Sequence, residues 1–258
     1  MRIFDMRVGE KYINKFGNIA EIVKYKSTTD CDILIDGYEL KEHVQYWNIK
    51  KGMFKSSLLP SVCGVGYIGI GSYKSRDENN NKTNAYSEWI DMLKRCYDKK
   101  RWEKHPTYKG VEVCGEWLDF QQFACWYYEN SVDNSIKYEI DKDILGGKLY
   151  SPKTCILIPH ILNIVLSRNP KRINNTFPVG VEPTKGCINK YTARIVKDGE
   201  KIIQHGFTNS MDAFEWYKNK KEEHIREIAE KYKNQITERA YKAILSYEVQ
   251  PFPYKEVI

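Results

Sequence analysis

The chain has 258 residues, 41% hydrophobic and 13% aromatic, which is enough apolar material for packed cores and excludes a disordered protein. Lysine and arginine outnumber aspartate and glutamate by 41 to 34, and this excess favours a polyanionic partner such as nucleic acid. The 7 cysteines form no Cys-x-x-Cys pair, as is typical of free thiols in a reducing compartment. Because no signal peptide or membrane span is visible, we expect a cytoplasmic protein with no membrane partner.

Residues 1–70 are predicted to form short strands. The Asp-Gly pair at 36–37 lies between β-rich segments, which is a strong hairpin signal. Several glycines between 64 and 71 neither open a helix nor precede a Lys-Ser/Thr pair, so they indicate close backbone approach rather than a phosphate-binding loop. We predict a small β-barrel over 1–70 and a polar linker over 71–84.

The middle segment, 85–172, alternates helices and strands. The apolar residues of "AYSEWIDMLKRCYDKK" recur at helical spacing, and "DFQQFACWYYEN" is a second helix with Asp119 as its N-cap. "KYEIDKDI" is predicted as a strand. "CILIPHILNIVLS" is either a helix or a strand running into one, with Pro159 at the first helical turn.

Three strands and a long helix are predicted for 173–236, followed by a short helix and tail at 237–258. Asp198-Gly199 is a second hairpin signal, and Ser210 is the expected cap of the long helix. The predicted fold class is therefore α+β, built from several domains.

The 173–236 segment resembles the AP2-type DNA-binding domain of phage and mobile-element nucleases. The matching residues are "VGVEP", "YTARI", "DGEKIIQHGF" and "SMDAFEWY". In that family a three-stranded sheet lies in the major groove of double-stranded DNA, and a helix packs on the back of the sheet. The resemblance implies the same arrangement here.

Strand alternation sends every second side chain of "YTARIVK" to the DNA face. We predict Arg194 as the main contact to a base or phosphate. Glu182 lies on the same face and opposes DNA binding. The supporting contacts are predicted at Lys190, Tyr191, Thr192, Lys201 and Gln204.

The 85–172 segment resembles the HNH nucleases of phage, in the version where a helix and a run of aromatic and cysteine residues precede the active-site strand. The matching residues are Trp89, Met92, Arg95-Cys96-Tyr97, Tyr108, Gly110-Val111, Val113-Cys114, Glu116-Trp117, Phe120, Phe123 and Trp126. In that family a β-hairpin and a helix surround one divalent metal, and a histidine deprotonates the attacking water.

By spacing, Asp141 and Asn163 take the positions of metal ligands in that family, which implies a site for Mg²⁺ or Mn²⁺. Lys142 stands where the family has its histidine base. A lysine ordinarily keeps its proton at neutral pH, so it is a poor base and is better suited to stabilise phosphate charge. His160 lies one helical turn before Asn163 and could replace that base, while Asp143 could act as a further ligand.

The 1–70 segment resembles the SH3-like barrels that precede such modules in phage proteins, through "GNIAEIVKY", "ILIDGYEL" and "NIKKGMFKS". Lys50, Lys51 and Lys55 would suit docking to a DNA backbone or a protein. A scaffold barrel with a solvated basic edge is the alternative.

The leading hypothesis is a phage DNA-binding protein of the HNH homing-endonuclease type that nicks DNA with a divalent metal. Two alternatives stay open. A degenerate HNH-AP2 protein would bind DNA as a regulator, or would inhibit a host system through a host protein partner. A protein-interaction module would need no nucleic acid. Enzymatic activity is left open because Lys142 replaces the histidine.

Overall fold

The computed structural model describes residues 7–166, 177–188 and 190–251, and it confirms a mixture of helices and strands. Two compact units, Met1–Cys125 and Trp126–Ile258, divide the chain inside the predicted HNH-like range. The parts of the predicted domains at 1–6, 167–176, 189 and 252–258 lie outside the described residues. None of the helices in the described part is both long and apolar enough to cross a membrane.

The first unit begins with an antiparallel sheet in the order β1-β2-β3-β4. Its strands are β1 (Lys11–Ile13), β2 (Ile19–Ser27), β3 (Asp30–Ile35) and β4 (Glu39–Val44), and helix α1 (Tyr46–Lys50) follows. The predicted hairpin turn is confirmed, with Asp36 and Gly37 at φ 51° and 80°. Within the described residues β1 and β4 each pair with a neighbouring strand on one side only. The sheet is therefore open, and the predicted barrel is not closed. Closure requires long tilted strands, and β1 has only 3 residues.

The rest of this unit is mainly helical. It contains α2 (Asn84–Tyr97), α3 (Lys99–Lys104), β5 (Glu112–Val113) and the first part of α4 (Phe120–Asn130). As predicted, Asp119 caps α4, and its Oδ1 accepts a hydrogen bond from the Gln121 N–H at 2.8 Å. A side chain at Gly66 would collide with Trp89 and Leu93, which confirms that the glycine-rich segment approaches its neighbours closely.

The second unit contains a strand–strand–helix element. Strand β6 (Tyr138–Asp141) pairs antiparallel with β8 (Ile156–Pro159), and α5 (His160–Leu166) begins where β8 ends. The short strand β7 (Leu149–Tyr150) lies between them in the sequence. The open question about "CILIPHILNIVLS" is therefore answered by a strand that runs into a helix at Pro159.

The second element of this unit is a three-stranded sheet backed by a helix. Its order is β11-β10-β9, and its strands are β9 (Val181–Pro183), β10 (Tyr191–Lys197) and β11 (Glu200–Phe207). Helix α6 (Ser210–Lys231) packs on the sheet, and α7 (Glu238–Leu245) follows. The cap of α6 is Asn209 rather than Ser210, because the Asn209 Oδ1 accepts from the Met211 N–H at 2.8 Å.

One hydrophobic core joins both elements of the second unit. Its buried members include Ile156 and Leu162 from the strand–strand–helix element, Phe214 and Ile228 from α6, and Ile244 from α7. The 126–166 part of the predicted HNH-like range and the predicted AP2-like range therefore fold around a common core, which fixes the position of one relative to the other.

Candidate catalytic site and nucleic-acid face

The strand–strand–helix element brings together Glu139, His160 and Asn163. Glu139 lies opposite Ile158 in the β6–β8 ladder, and α5 starts two residues beyond Ile158. The first turn of α5 consequently lies beside the Glu139 carboxylate. Its Oε1 lies 2.7 Å from His160 Nδ1, and its Oε2 accepts a hydrogen bond from Asn163 Nδ2 at 2.6 Å.

The bond between Glu139 and His160 determines what the imidazole can do. An ionised carboxylate can only accept, so His160 Nδ1 carries the hydrogen and Nε2 is left with an accepting lone pair. The His160 side chain is 59% exposed, whereas that of Glu139 is 17% exposed. The arrangement is an accessible imidazole oriented by a largely covered carboxylate, which is suited to taking a proton from water.

The predicted ligand Asp141 lies two residues further along β6, on the same side as Glu139 by strand alternation. Its Oδ1 accepts a hydrogen bond from the Ile144 N–H at 3.0 Å. Burial raises the pKa of the Asp141 carboxyl, and in the described part of the chain no lysine or arginine forms an ion pair with it. Backbone hydrogen bonds and the charge of Lys142 oppose this rise in the pKa without cancelling it, so Asp141 is a covered acid.

Asn163 donates an amide N–H to Glu139, while Asp141 accepts from the Ile144 N–H, and the hydrogen bonds of the described residues include none between Asp141 and Asn163. Among the described residues, the acidic, histidine or cysteine side chains that bring three ligand atoms within 4.8 Å of one another are Asp30, Asp32 and His43, in the first unit. The Cα atoms of Glu139 and Asp141 are about 7 Å apart along the strand, and neither carboxylate belongs to that cluster.

Lys142 and Asp143 form an ion pair with each other. The Lys142 side chain is only 11% exposed, and its ammonium also lies 5.9 Å from the centre of the Tyr150 ring. The Lys142 ammonium is therefore engaged by a carboxylate and lies near an aromatic ring.

Glu139 is the residue that the spacing argument missed. The alternation of "YEID" already placed it on one face with Asp141 and Asp143, but the aligned family positions assigned it no role. The contacts of Glu139 could not be predicted from the sequence, because His160 and Asn163 lie 21 and 24 residues away from it and only strand pairing brings them together.

The outer face of the β9–β11 sheet carries the predicted DNA contact Arg194. Arg194 lies opposite Ile203, and Val196 lies opposite Lys201, so these four side chains share the face. The Arg194 Nη2 lies 2.6 Å from the Glu182 Oε1, and 34% of the side chain is exposed. Its Nε is buried without a hydrogen-bond partner. Glu182 therefore competes with any anion for this guanidinium.

The supporting positions differ in accessibility. Lys190, Lys201 and Gln204 are exposed, and Tyr191 is half-buried with its ring 5.8 Å from that of Phe177. Thr192 is 2% exposed, and its hydroxyl bonds to Thr184 and His205. The register shift between Tyr191 and Ala193 places two β11 residues, His205 and Gly206, opposite Thr192, and this predicted contact is covered.

Comparisons of the chain with protein-family models, with curated proteins and with solved structures return no match.

Proposed function

We propose that this chain is a DNA-binding protein that nicks duplex DNA, with His160 as general base and one divalent cation as cofactor. The observation that carries the proposal is the pair of hydrogen bonds from Glu139 to His160 and Asn163 on a strand–strand–helix element. His160 would thereby act as the general base in place of the histidine that is replaced by Lys142. A histidine held by a carboxylate is a recurrent solution for activating a nucleophile.

In the proposed reaction, a water molecule gives a proton to His160 Nε2 while its oxygen attacks phosphorus. One phosphorus–oxygen ester bond breaks, its electron pair stays on the departing sugar oxygen, and that oxygen takes up a proton from solvent. The Glu139 carboxylate stabilises the imidazolium formed, and Asn163 keeps Glu139 in position. Lys142, as an ammonium, stabilises the charge on the phosphate.

The acidic residues fit a hard cation. Mg²⁺ and Mn²⁺ prefer carboxylate and carbonyl oxygens, and Asp141 is a covered carboxylate whose charge a cation would compensate. Asn163 retains its Oδ1 for the same purpose, since only its Nδ2 is engaged. When bound, the cation would neutralise charge that develops on the phosphate oxygens.

Duplex binding is proposed for the outer face of the β9–β11 sheet, through Arg194. To reach a phosphate or a guanine, the guanidinium exchanges Glu182 for the DNA, which makes the affinity moderate and dependent on salt. The shared core of the second unit keeps this sheet and His160 at a fixed separation, as a nuclease needs.

The test is conversion of supercoiled plasmid to the open-circular form with Mg²⁺ or Mn²⁺. We expect His160→Ala and Glu139→Gln each to lower the nicking rate by about a hundredfold or more, the range of general-base catalysis. Free imidazole should restore part of the rate of His160→Ala alone. The matched control is His105→Ala, which alters an exposed histidine of the first unit. Unchanged nicking by His160→Ala would contradict the assigned base.

A second candidate is a DNA-binding protein without chemistry. It is favoured by the absence of Asp141 from the three-ligand cluster found among the described residues and by the ion pair that holds Lys142. Duplex binding that weakens with salt, without any metal-dependent nicking by the wild-type chain, would select this candidate. Absence of duplex binding at low salt would leave the protein-interaction alternative.

A further inference from the structure

The first unit exposes four large apolar side chains on two short segments. Ile13 and Met53 are each 67% exposed, Trp47 is 59% exposed and Phe16 is 49% exposed. Single exposed apolar residues are ordinary, but a contiguous group with a polar rim marks an interaction site. These four, together with Lys15, Lys51 and Lys55, are called the Phe16–Trp47 surface below.

The two segments are held together by a buried asparagine. Asn14 is 5% exposed, and its Nδ2 donates to the Phe54 carbonyl at 3.0 Å. Its Oδ1 accepts from the backbone N–H groups of Phe16 and Asn18, both at 2.9 Å. One side chain therefore fixes the turn that carries Phe16 and attaches it to the segment with Met53 and Lys55.

A glycine lets the end of α1 join the same surface. Gly52 has φ +64°, and a side chain there would lie 2.8 Å from the Ile13 carbonyl oxygen. The chain just after Trp47 and Lys51 thus passes against strand β1. The segment that follows α1 and the β1–β2 turn therefore lie next to each other.

Lysines surround both aromatic rings of the surface. The ammonium groups of Lys15 and Lys55 lie 5.0 and 5.8 Å from the centre of the Phe16 ring, and that of Lys51 lies 4.8 Å from the Trp47 ring. Residues 11–20 and 43–57 contain no aspartate or glutamate. The lysine–carboxylate ion pairs of the described part of this unit involve other lysines, namely Lys11, Lys26 and Lys41. The nearby Asp36 is bonded to Asn18 and to the Ile19 N–H, each at 2.7 Å.

We infer that the Phe16–Trp47 surface binds single-stranded DNA, with bases stacking on Phe16 and Trp47 and phosphates contacting Lys15, Lys51 and Lys55. Unpaired bases expose the flat faces that such rings bind, whereas a duplex hides them. Lysine is depleted in the centres of protein interfaces, which favours a nucleic acid over a protein here. A lysine on a flexible stem can leave the ring for a phosphate when a base arrives. The choice of DNA over RNA rests on the proposed function, whereas the inference that this surface binds a single strand does not.

The test is fluorescence anisotropy of the full chain with a labelled oligothymidylate of about 16 nucleotides, a typical site size for such surfaces. Phe16→Ala and Trp47→Leu should each weaken binding by about fivefold or more. Trp47→Phe should retain most of the wild-type affinity because it keeps a stacking ring. Leu40→Ala is the matched control, since Leu40 is 57% exposed but not aromatic. Replacing Lys15 and Lys55 together with Gln should flatten the salt dependence.

An abasic strand provides the decisive arm, because the two ring substitutions should have no effect on it. Failure of the wild-type chain to bind the oligothymidylate, or equal losses on the abasic strand, would overturn the inference. A clear preference for oligouridylate would overturn the assignment to DNA. Arg194→Ala should leave this binding unchanged, so loss of duplex binding and loss of single-strand binding are distinguishable.

Discussion

The outer face of the β9–β11 sheet and the Phe16–Trp47 surface both present cations to solvent, but the cations have different partners. Arg194 is paired with a carboxylate on the neighbouring strand. Lys15, Lys51 and Lys55 lie over aromatic rings, on segments without acidic residues. A count of charges treats the two regions alike. For binding, they differ, because a paired cation must give up its partner before it can bind a phosphate.

A net charge of +7 favours a polyanionic partner but does not indicate which surface would bind it. The ion pair on the sheet suits a contact that is made only when the duplex offers enough other interactions. The lysine–aromatic surface suits weak, sequence-tolerant binding of unpaired bases. The two regions are therefore expected to respond independently to substitution.

The largest effect is expected from the glycines that support each region. Gly180 has φ +77° and a side chain there would overlap the Tyr217 ring, so Gly180→Ala should cost about 3 kcal/mol, from left-handed strain plus overpacking. Gly180→Ala should also weaken duplex binding, whereas Gly52→Ala should weaken the binding of oligothymidylate. The control for Gly180→Ala is Gly206→Ala, because Gly206 has φ +92° but no atom lies within 4 Å of the position that an added side chain would take. Urea unfolding measures the cost, and equal losses at Gly180 and Gly206 would refute the overlap.

The second effect concerns DNA selectivity. Arg194→Ala should weaken duplex binding by about tenfold to a hundredfold, the usual range for an arginine at a base or phosphate. Binding of oligothymidylate should not change. Anisotropy with both probes measures the ratio, and Lys197→Ala, which removes an ion pair with Glu227, is the control. Parallel losses on both probes would show that the two regions are not independent.

The third effect is a pH dependence of the second unit. His224 is 4% exposed, and neither of its ring nitrogens makes a hydrogen bond. Its pKa is lowered mainly by burial and, to a smaller extent, by the positive charge of Lys221. Asp198 and Glu227 oppose this shift, while Lys197 adds to it. Because the unfolded chain takes up the proton more readily, stability is lost as the pH falls below about 6.5, the ordinary value.

Replacing His224 with leucine should remove this acid sensitivity and should stabilise the unit by about 1 kcal/mol at pH 5, since it removes a buried imidazole that makes no hydrogen bond and whose Nε2 lies 3.6 Å from the Asp198 carboxylate. Thermal melts between pH 5 and pH 8 measure the change. His105→Ala serves as the control. If the melting temperature of the wild-type chain stays constant when the pH is lowered below 6.5, the role of His224 is contradicted.

The smallest effect is expected at the carboxylate that competes with DNA. Glu182→Gln removes a negative charge from the sheet face and frees Arg194, so duplex affinity should rise by up to about fivefold, in line with an exposed ion pair. The gain should disappear in the double variant with Arg194→Ala. A gain that persists in the double variant would mean that Glu182 repels DNA directly, without acting through Arg194.

Much of the local structure could be predicted from the sequence because it depends on neighbouring residues. The turns at Asp36-Gly37 and Asp198-Gly199 require left-handed backbone, which these residue types adopt readily. Helix α2 follows from its apolar spacing, and the start of α4 follows from the cap at Asp119. The closed barrel was wrong because strand length and pairing at the edges decide closure, and neither can be read from alternation.

Most of the longer helices and strands and the candidate side chains Asp141, His160, Asn163 and Arg194 could be predicted from sequence, whereas α1, α3 and β7 could not. Which of the candidate side chains lie together depends on strand pairing and core packing. The β6–β8 pairing brings His160 and Asn163 to Glu139, and Thr192 is covered where its hydroxyl bonds to Thr184 and His205. The physical reason is that register and bulges are set by the packing of a whole sheet against its core, so a shift of one residue changes every contact while the local sequence signals stay the same.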